Sequence, residues 1–194
     1  MIIVVMGVSG SGKTTIGMML ADAIRCRFLE GDSLHSKENI EKMRHSIPLT
    51  DSDRVPWLAA IRTHILKFFK RGETLVVACS ALKQQYREFL VDGIPVSWIY
   101  LKGSAQLIRS RMKHRSSHFM RADMLSSQFD ALEEPSDAIV VDVLPPPSVI
   151  VSEILVQLQE PQPTVQGLAV TQHVRDVAGL DQKNFAPKQC PRRR

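Results

Sequence analysis

Ile2 to Met6 is an unbroken apolar run, rich in β-branched residues and closed by Gly7. Such a run predicts a strand buried on both faces. A helical pattern follows the glycines, with Ile16, Met19, Leu20 and Ala23 on one face. Strand and helix signals then alternate. A short strand is predicted over 27–30, a helix over 36–45 with Ser36 and Asn39 as a partial cap, and a longer helix from about 54 to 70. That helix takes Asp51 or Ser52 as its cap and stops at Gly72. Its stripe of Trp57, Leu58, Ile61, Ile65, Leu66 and Phe69 is expected in the core. Strands over 74–81, 96–103 and 138–143 are each followed by helical patterns, at 81–91, at 104–115 and 122–134, and from about 148 to 159. Five strands separated by helices predict a parallel sheet covered on both faces, a three-layer α/β/α domain over 1–160. From Pro161 onward periodicity fails among prolines, glutamines and a terminal arginine triplet. Residues 161–194 read as a mostly disordered tail, with a short helix around 168–179 as its one candidate element.

Composition narrows the class. An apolar share of 44% with 23% charged residues is ordinary for a globular chain. No apolar run approaches the roughly 20 residues of a membrane span. The first apolar stretch has no basic leader and runs into the glycine loop, which argues against a signal peptide. Three cysteines, Cys26, Cys79 and Cys190, show no metal spacing and point to a reducing, cytoplasmic setting; Cys26 and Cys79 are expected in the core. The net charge of +5 resides mainly in the tail, where six Lys or Arg face two acids over 161–194. The remainder is nearly neutral, which argues against a nucleic-acid surface.

The chemistry begins where the first strand ends. Gly7, Gly12, Lys13 and Thr14 fit G-x-x-x-x-G-K-[ST] between a predicted strand and a predicted helix. Gly7, Val8, Ser9, Gly10, Ser11 and Gly12 would wrap backbone N–H groups around a phosphate, and the helix starting near Lys13, Thr14 and Thr15 adds its unpaired N–H groups and dipole. Lys13 supplies charge to the β- and γ-phosphates, and Thr14 a hydroxyl for Mg²⁺. The motif predicts a nucleoside triphosphate with Mg²⁺, and leaves the phosphate acceptor open.

Acceptor candidates follow the other strand ends, where open parallel sheets bind ligands. "EGDSLH" (30–35) places Glu30, Asp32 and His35 beside the phosphate loop. Transfer to an alcohol needs a carboxylate to orient the hydroxyl and take its proton; Asp32 is the candidate, and Glu30 could act through a metal-bound water. Arg54, Lys83 and Arg87 are cations suited to an anionic acceptor. The segment 110–125 is dense in cations, including Arg111, Arg115 and His118. It has the composition of a mobile lid, about 112–121, that brings Arg to the γ-phosphate and excludes water.

These segments occur in the order "MGVSGSGKTT", "GDSLHSKENIEKM", "IPLTDSDRVPWL", "CSALKQQYRE", "YLKGSAQLIRSRMKHRSSHFM" and "MLSSQFDALEEP". Over about residues 1–158 the chain resembles the gluconokinases, small-molecule kinases of the P-loop group. The resemblance implies a P-loop kinase fold, ATP-dependent phosphorylation of D-gluconate to 6-phosphogluconate, a Mg²⁺ requirement and a homodimer. It further implies that Asp32 holds the reacting hydroxyl, that His35, Arg54, Lys83 and Arg87 lie near the sugar acid, that Arg111, Arg115 and His118 belong to the lid, and that 142–147 lies near the adenine. Two departures stand out: Glu30 where the family often has Asp, and Ser117 where its lid usually has Gly. A kinase for another polyol acid, and a nucleotide-dependent protein whose tail binds RNA, are the alternatives.

Overall fold

Alternate residues of the central strands feed two separate cores. Ile3, Val5, Val76, Ile99 and Leu101 join one apolar cluster, and Ile2, Val4, Val77, Trp98 and Tyr100 join another. The strand period of two thus splits one sheet between two covered faces. The computed structural model describes residues 1–113 and 125–159. The strands are β1 (Ile2–Met6), β2 (Arg27–Glu30), β3 (Leu75–Ala78), β4 (Val96–Lys102) and β5 (Ile139–Asp142). All described pairings are parallel, in the order β2-β3-β1-β4-β5. All five β1 residues are fully buried, as the apolar run predicts.

The helices are α1 (Lys13–Ala23), α2 (Lys37–Arg44), α3 (Asp51–Lys70), α4 (Gln84–Val91), α5 (Ala105–Lys113), α6 (Leu125–Ala131) and α7 (Pro147–Gln159). Ile16 and Leu20 of α1, Ile108 of α5, and Ile150 and Ile154 of α7 cover one face. Trp57, Leu58, Ile61 and Ile65 of α3, with Tyr86 and Leu90 of α4, cover the other. The strand order places the switch point at β1 and β3, because the chain leaves β1 toward one edge and leaves β3 toward the other. A crevice therefore opens beyond their carboxyl ends.

Two expectations about α3 change. Its cap is Thr50, and the helix starts at Asp51. Thr50 Oγ1 accepts from the Asp53 N–H at 3.2 Å, and Asp53 Oδ2 accepts from the Thr50 N–H at 2.9 Å. This reciprocal pair satisfies two backbone donors, so it outcompetes a cap at Asp51 or Ser52. Lys42 adds an ion pair to Asp53 at 2.8 Å. Phe69, expected in the core stripe, is 42% exposed near the helix end. Cys79 is buried and Cys26 partly so, and both are free. The tail 161–194 and most of the expected lid, including Arg115 and His118, lie outside the described residues.

Candidate active site

The loop from Gly7 to Gly12 joins β1 to α1. Gly7 sits at φ +139, and a Cβ there would lie 2.9 Å from the Leu101 carbonyl oxygen on the neighbouring strand. Only glycine lets the loop leave β1 in this direction without displacing β4. The Ser11 N–H donates to the Val8 carbonyl at 3.2 Å, closing the turn. Lys13 is buried to 8% exposure, and its ammonium donates to the same Val8 carbonyl at 3.1 Å. The lysine therefore folds back along the loop. α1 has Gly12 as its N-cap residue, with no side-chain cap and no acid in its first turn. Its leading N–H groups and positive dipole end are left for an anion. α3, capped by Thr50 and Asp53, shows the opposite treatment.

Two cavities meet at this loop. A small phosphate cradle is lined by Ser9, Gly10, Gly12, Lys13, Thr14 and Asp32. A cavity of about 220 Å³ lies on the β2–β3 side. Ser9, Lys13 and Asp32 line both. Asp32 thus stands at the boundary between a phosphate site and a second compartment.

A short 3₁₀ turn, Gly31–Leu34, carries Asp32. A Cβ on Gly31 would fall 2.5 Å from the Ala78 carbonyl oxygen, so the missing side chain lets this turn lie against the end of β3. The Trp57 indole N–H donates to the Gly31 carbonyl at 2.7 Å and pins the turn from α3. Glu30 Oε1 accepts from the Asp32 N–H at 3.4 Å, while its Oε2 is buried with no partner among the described residues. His35 stacks on Trp57. Burial pushes the His35 pKa below its ordinary value, against the pull of Asp32 and with the help of Arg54, so the ring is neutral at neutral pH.

The far wall of the cavity is cationic. Arg54, Lys83 and Tyr86 line it together with Asp51. Lys83 donates to both Asp51 oxygens, at 2.8 and 2.9 Å. The Tyr86 hydroxyl also bonds Asp51, and the Arg54 guanidinium lies 3.9 Å from it. Burial and the Asp51 contact push the Tyr86 phenol above its usual range, so it stays a donor.

Asp32, His35, Arg54 and Lys83 therefore line one cavity, and Arg87 does not join them. It is 8% exposed, and its guanidinium donates to the Ala81 and Leu82 carbonyls at 3.0 and 3.2 Å. Its open side faces a different cavity, shared with Trp98, Glu134 and Asp137. The cation is taken up by the β3–α4 loop, where Ala81 holds a left-handed φ of +42. Arg111 and Thr15 line a third cavity, of about 400 Å³, with Gly10, Pro145, Pro147 and Ile150. It shares Gly10, Gly12 and Thr15 with the cradle. Arg111 also donates to the Val143 carbonyl.

Sequence reasoning missed three participants. The sequence presents Asp51 only as a helix cap and Trp57 only as core. Gln128, from α6, accepts from the Ser9 N–H at 2.7 Å and lines the cavity that holds Arg54 and Lys83. Its only advance signal is its place in "MLSSQF".

A family model described as an AAA domain matches residues 2–135. The thermosensitive gluconokinase of Escherichia coli (strain K12) is 43% identical over 145 residues, covering 72% of this chain and 78% of that protein. The gluconokinase of Arabidopsis thaliana is 43% identical over 170 residues, covering 79% of this chain and 90% of its own. A crystal structure of a gluconokinase from Sinorhizobium meliloti 1021 superposes with a TM-score of 0.73 at 46% identity, covering 80% of this chain and 90% of that one.

Proposed function

This chain belongs to the gluconokinase family, and we propose that it transfers the γ-phosphoryl group of ATP to the 6-hydroxyl of D-gluconate. The products are ADP and 6-phospho-D-gluconate, which feeds the pentose phosphate pathway. The observation that carries this reading is the sharing of Ser9, Lys13 and Asp32 between the phosphate cradle and the second cavity. A donor on one side and an acceptor on the other would meet at these three residues.

Asp32 orients the acceptor hydroxyl and takes its proton as the new P–O bond forms. The bond between the γ-phosphorus and the bridging oxygen to the β-phosphate breaks, and ADP leaves with that oxygen. Lys13 and the uncapped N-terminus of α1 hold the β- and γ-phosphates and offset the charge on the transferring group. Arg54 and Lys83 receive the gluconate carboxylate at the far wall, and neutral His35 contributes a hydrogen-bonding edge over Trp57.

Mg²⁺ suits the donor set: the Thr14 hydroxyl is exposed in the cradle, and Glu30 Oε2 is a buried oxygen without a partner among the described residues. Bound there, the ion would neutralise phosphate charge, with Thr14 as direct ligand and Glu30 acting through water. No cluster of three acidic, His or Cys groups fit for a metal occurs among the described residues.

Arg111 is assigned to the nucleotide, with Val143 and Pro145 at the adenine side. Arg115 and His118 are assigned to the lid, and residues 161–194 to a separate tail. The reading extends to a homodimer in the cytoplasm; no helix of the described residues is long and apolar enough to cross a membrane. Phosphorus NMR of the product from Mg-ATP and D-gluconate tests the function. A phosphomonoester at carbon 6 is expected, and release of inorganic phosphate alone would overturn it.

A further inference from the structure

The acceptor cavity carries one carboxylate that the transfer chemistry leaves unused. Asp51 accepts two hydrogen bonds from Lys83, one from the Tyr86 hydroxyl and one from the Gln85 amide at 3.3 Å, with Arg54 at 3.9 Å. Burial favours its protonated form, but the bonds from Lys83 and Tyr86 and the Lys83 and Arg54 charges outweigh burial and hold its pKa low. Asp51 is therefore ionised at neutral pH. Its place at the start of α3 does not account for it, because Thr50 and Asp53 already cap that helix.

Two cations beside a tyrosine hydroxyl would make a good phosphate-binding wall. Asp51 changes the charge count. It takes up the charge of Lys83 and the hydroxyl of Tyr86, which leaves one positive excess, that of Arg54. One excess charge matches a carboxylate monoanion. A phosphate dianion in the same place would meet Asp51 as a like charge at close range. Sugar phosphates present the same hydroxylated chain as sugar acids, so shape alone would not exclude them. On the gluconate-kinase reading, on which this rests, we propose that Asp51 is a specificity-determining residue that admits sugar carboxylates and turns away sugar phosphates.

The matched probes are D-gluconate and D-glucitol 1-phosphate, linear six-carbon chains of the same configuration with a free primary hydroxyl at carbon 6 opposite a carboxylate or a phosphate. Calorimetric titration at pH 8, where the phosphate is a dianion, compares the full-length wild type, Asp51→Asn and the double variant Asp51→Asn/Lys83→Gln. The wild type should favour gluconate by about tenfold or more, as one like-charge contact in a partly exposed cavity can produce. Asp51→Asn should narrow that preference by about tenfold, and Lys83→Gln in the same chain should restore it by returning the cavity to one excess charge. An unchanged preference in Asp51→Asn, or an equal loss of both ligands, would assign Asp51 a structural role and overturn the proposal. Narrowing that the double variant fails to reverse would overturn its charge basis. A wild type that does not bind gluconate would fail the kinase reading instead; the change in glucitol 1-phosphate affinity on Asp51→Asn would still decide the role of Asp51.

Discussion

His35 lies face to face on Trp57, with ring centroids 4.3 Å apart and planes 13° from parallel. The stack buries the imidazole beside Asp32 and depresses its pKa, with burial as the main cause. The folded state therefore resists a proton that the unfolded chain accepts near pH 6.5. This stabilising contribution is complete above that pH and is lost as pH falls toward the lower folded value. Urea midpoints of the wild type should fall more steeply from pH 7 to pH 5 than those of His35→Gln. Parallel pH profiles for the two proteins would contradict the neutral, buried ring.

Gly31 is set by contact with backbone. The atom a Cβ would meet at 2.5 Å is the Ala78 carbonyl oxygen, and Ile61 stands at 3.2 Å. Neither the end of β3 nor the Trp57-pinned turn can yield cheaply. Gly31→Ala should cost about 1–3 kcal/mol in denaturant unfolding. It should also lower kcat, because the turn that shifts carries Asp32. A wild-type midpoint would show that the turn has room to move.

Asp32→Asn keeps the shape of the boundary residue and removes its basicity. Turnover should fall by at least about a hundredfold, the usual weight of a positioned general base. ATP affinity should stay near wild type, since Lys13 and α1 hold the phosphates. Stopped-flow nucleotide binding alongside steady-state turnover separates the two. Unchanged turnover would remove Asp32 from the chemistry.

Arg87 satisfies the carbonyls of Ala81 and Leu82 in the loop that presents Lys83. Arg87→Met should leave the Ala81 carbonyl without its donor, while the Leu82 carbonyl keeps the Glu133 N–H at 2.9 Å, at a cost of about 1–3 kcal/mol in stability. Its KM for gluconate should move far less than that of Lys83→Met. A larger KM effect at Arg87 would return it to the acceptor wall.

What local pattern governs was legible in the sequence. The buried run Ile2–Met6, the glycine loop and the uncapped α1 follow from neighbours within a few residues, and all appear in the fold. Asp32 and His35 line one cavity because the short turn after β2 carries the first and ends at the second. The errors lie where distant residues decide. Asp51 looks like a helix cap until Lys83 and Tyr86, more than thirty positions away, close on it. Arg87 counts as a free cation until the carbonyls it satisfies are known. Trp57 is core by its stripe, and 3% exposed, yet its indole N–H holds the turn that carries Asp32. Gln128 reaches the phosphate loop from across the chain, which no periodicity encodes.

The most direct test of the account is ADP release from Mg-ATP, coupled to an optical readout, across D-gluconate, other sugar acids, shikimate and nucleoside monophosphates. The account predicts turnover with D-gluconate far above every other acceptor, and its loss in Asp32→Asn. Efficient turnover of a different acceptor, with none on gluconate, would keep the kinase scaffold and contradict the substrate.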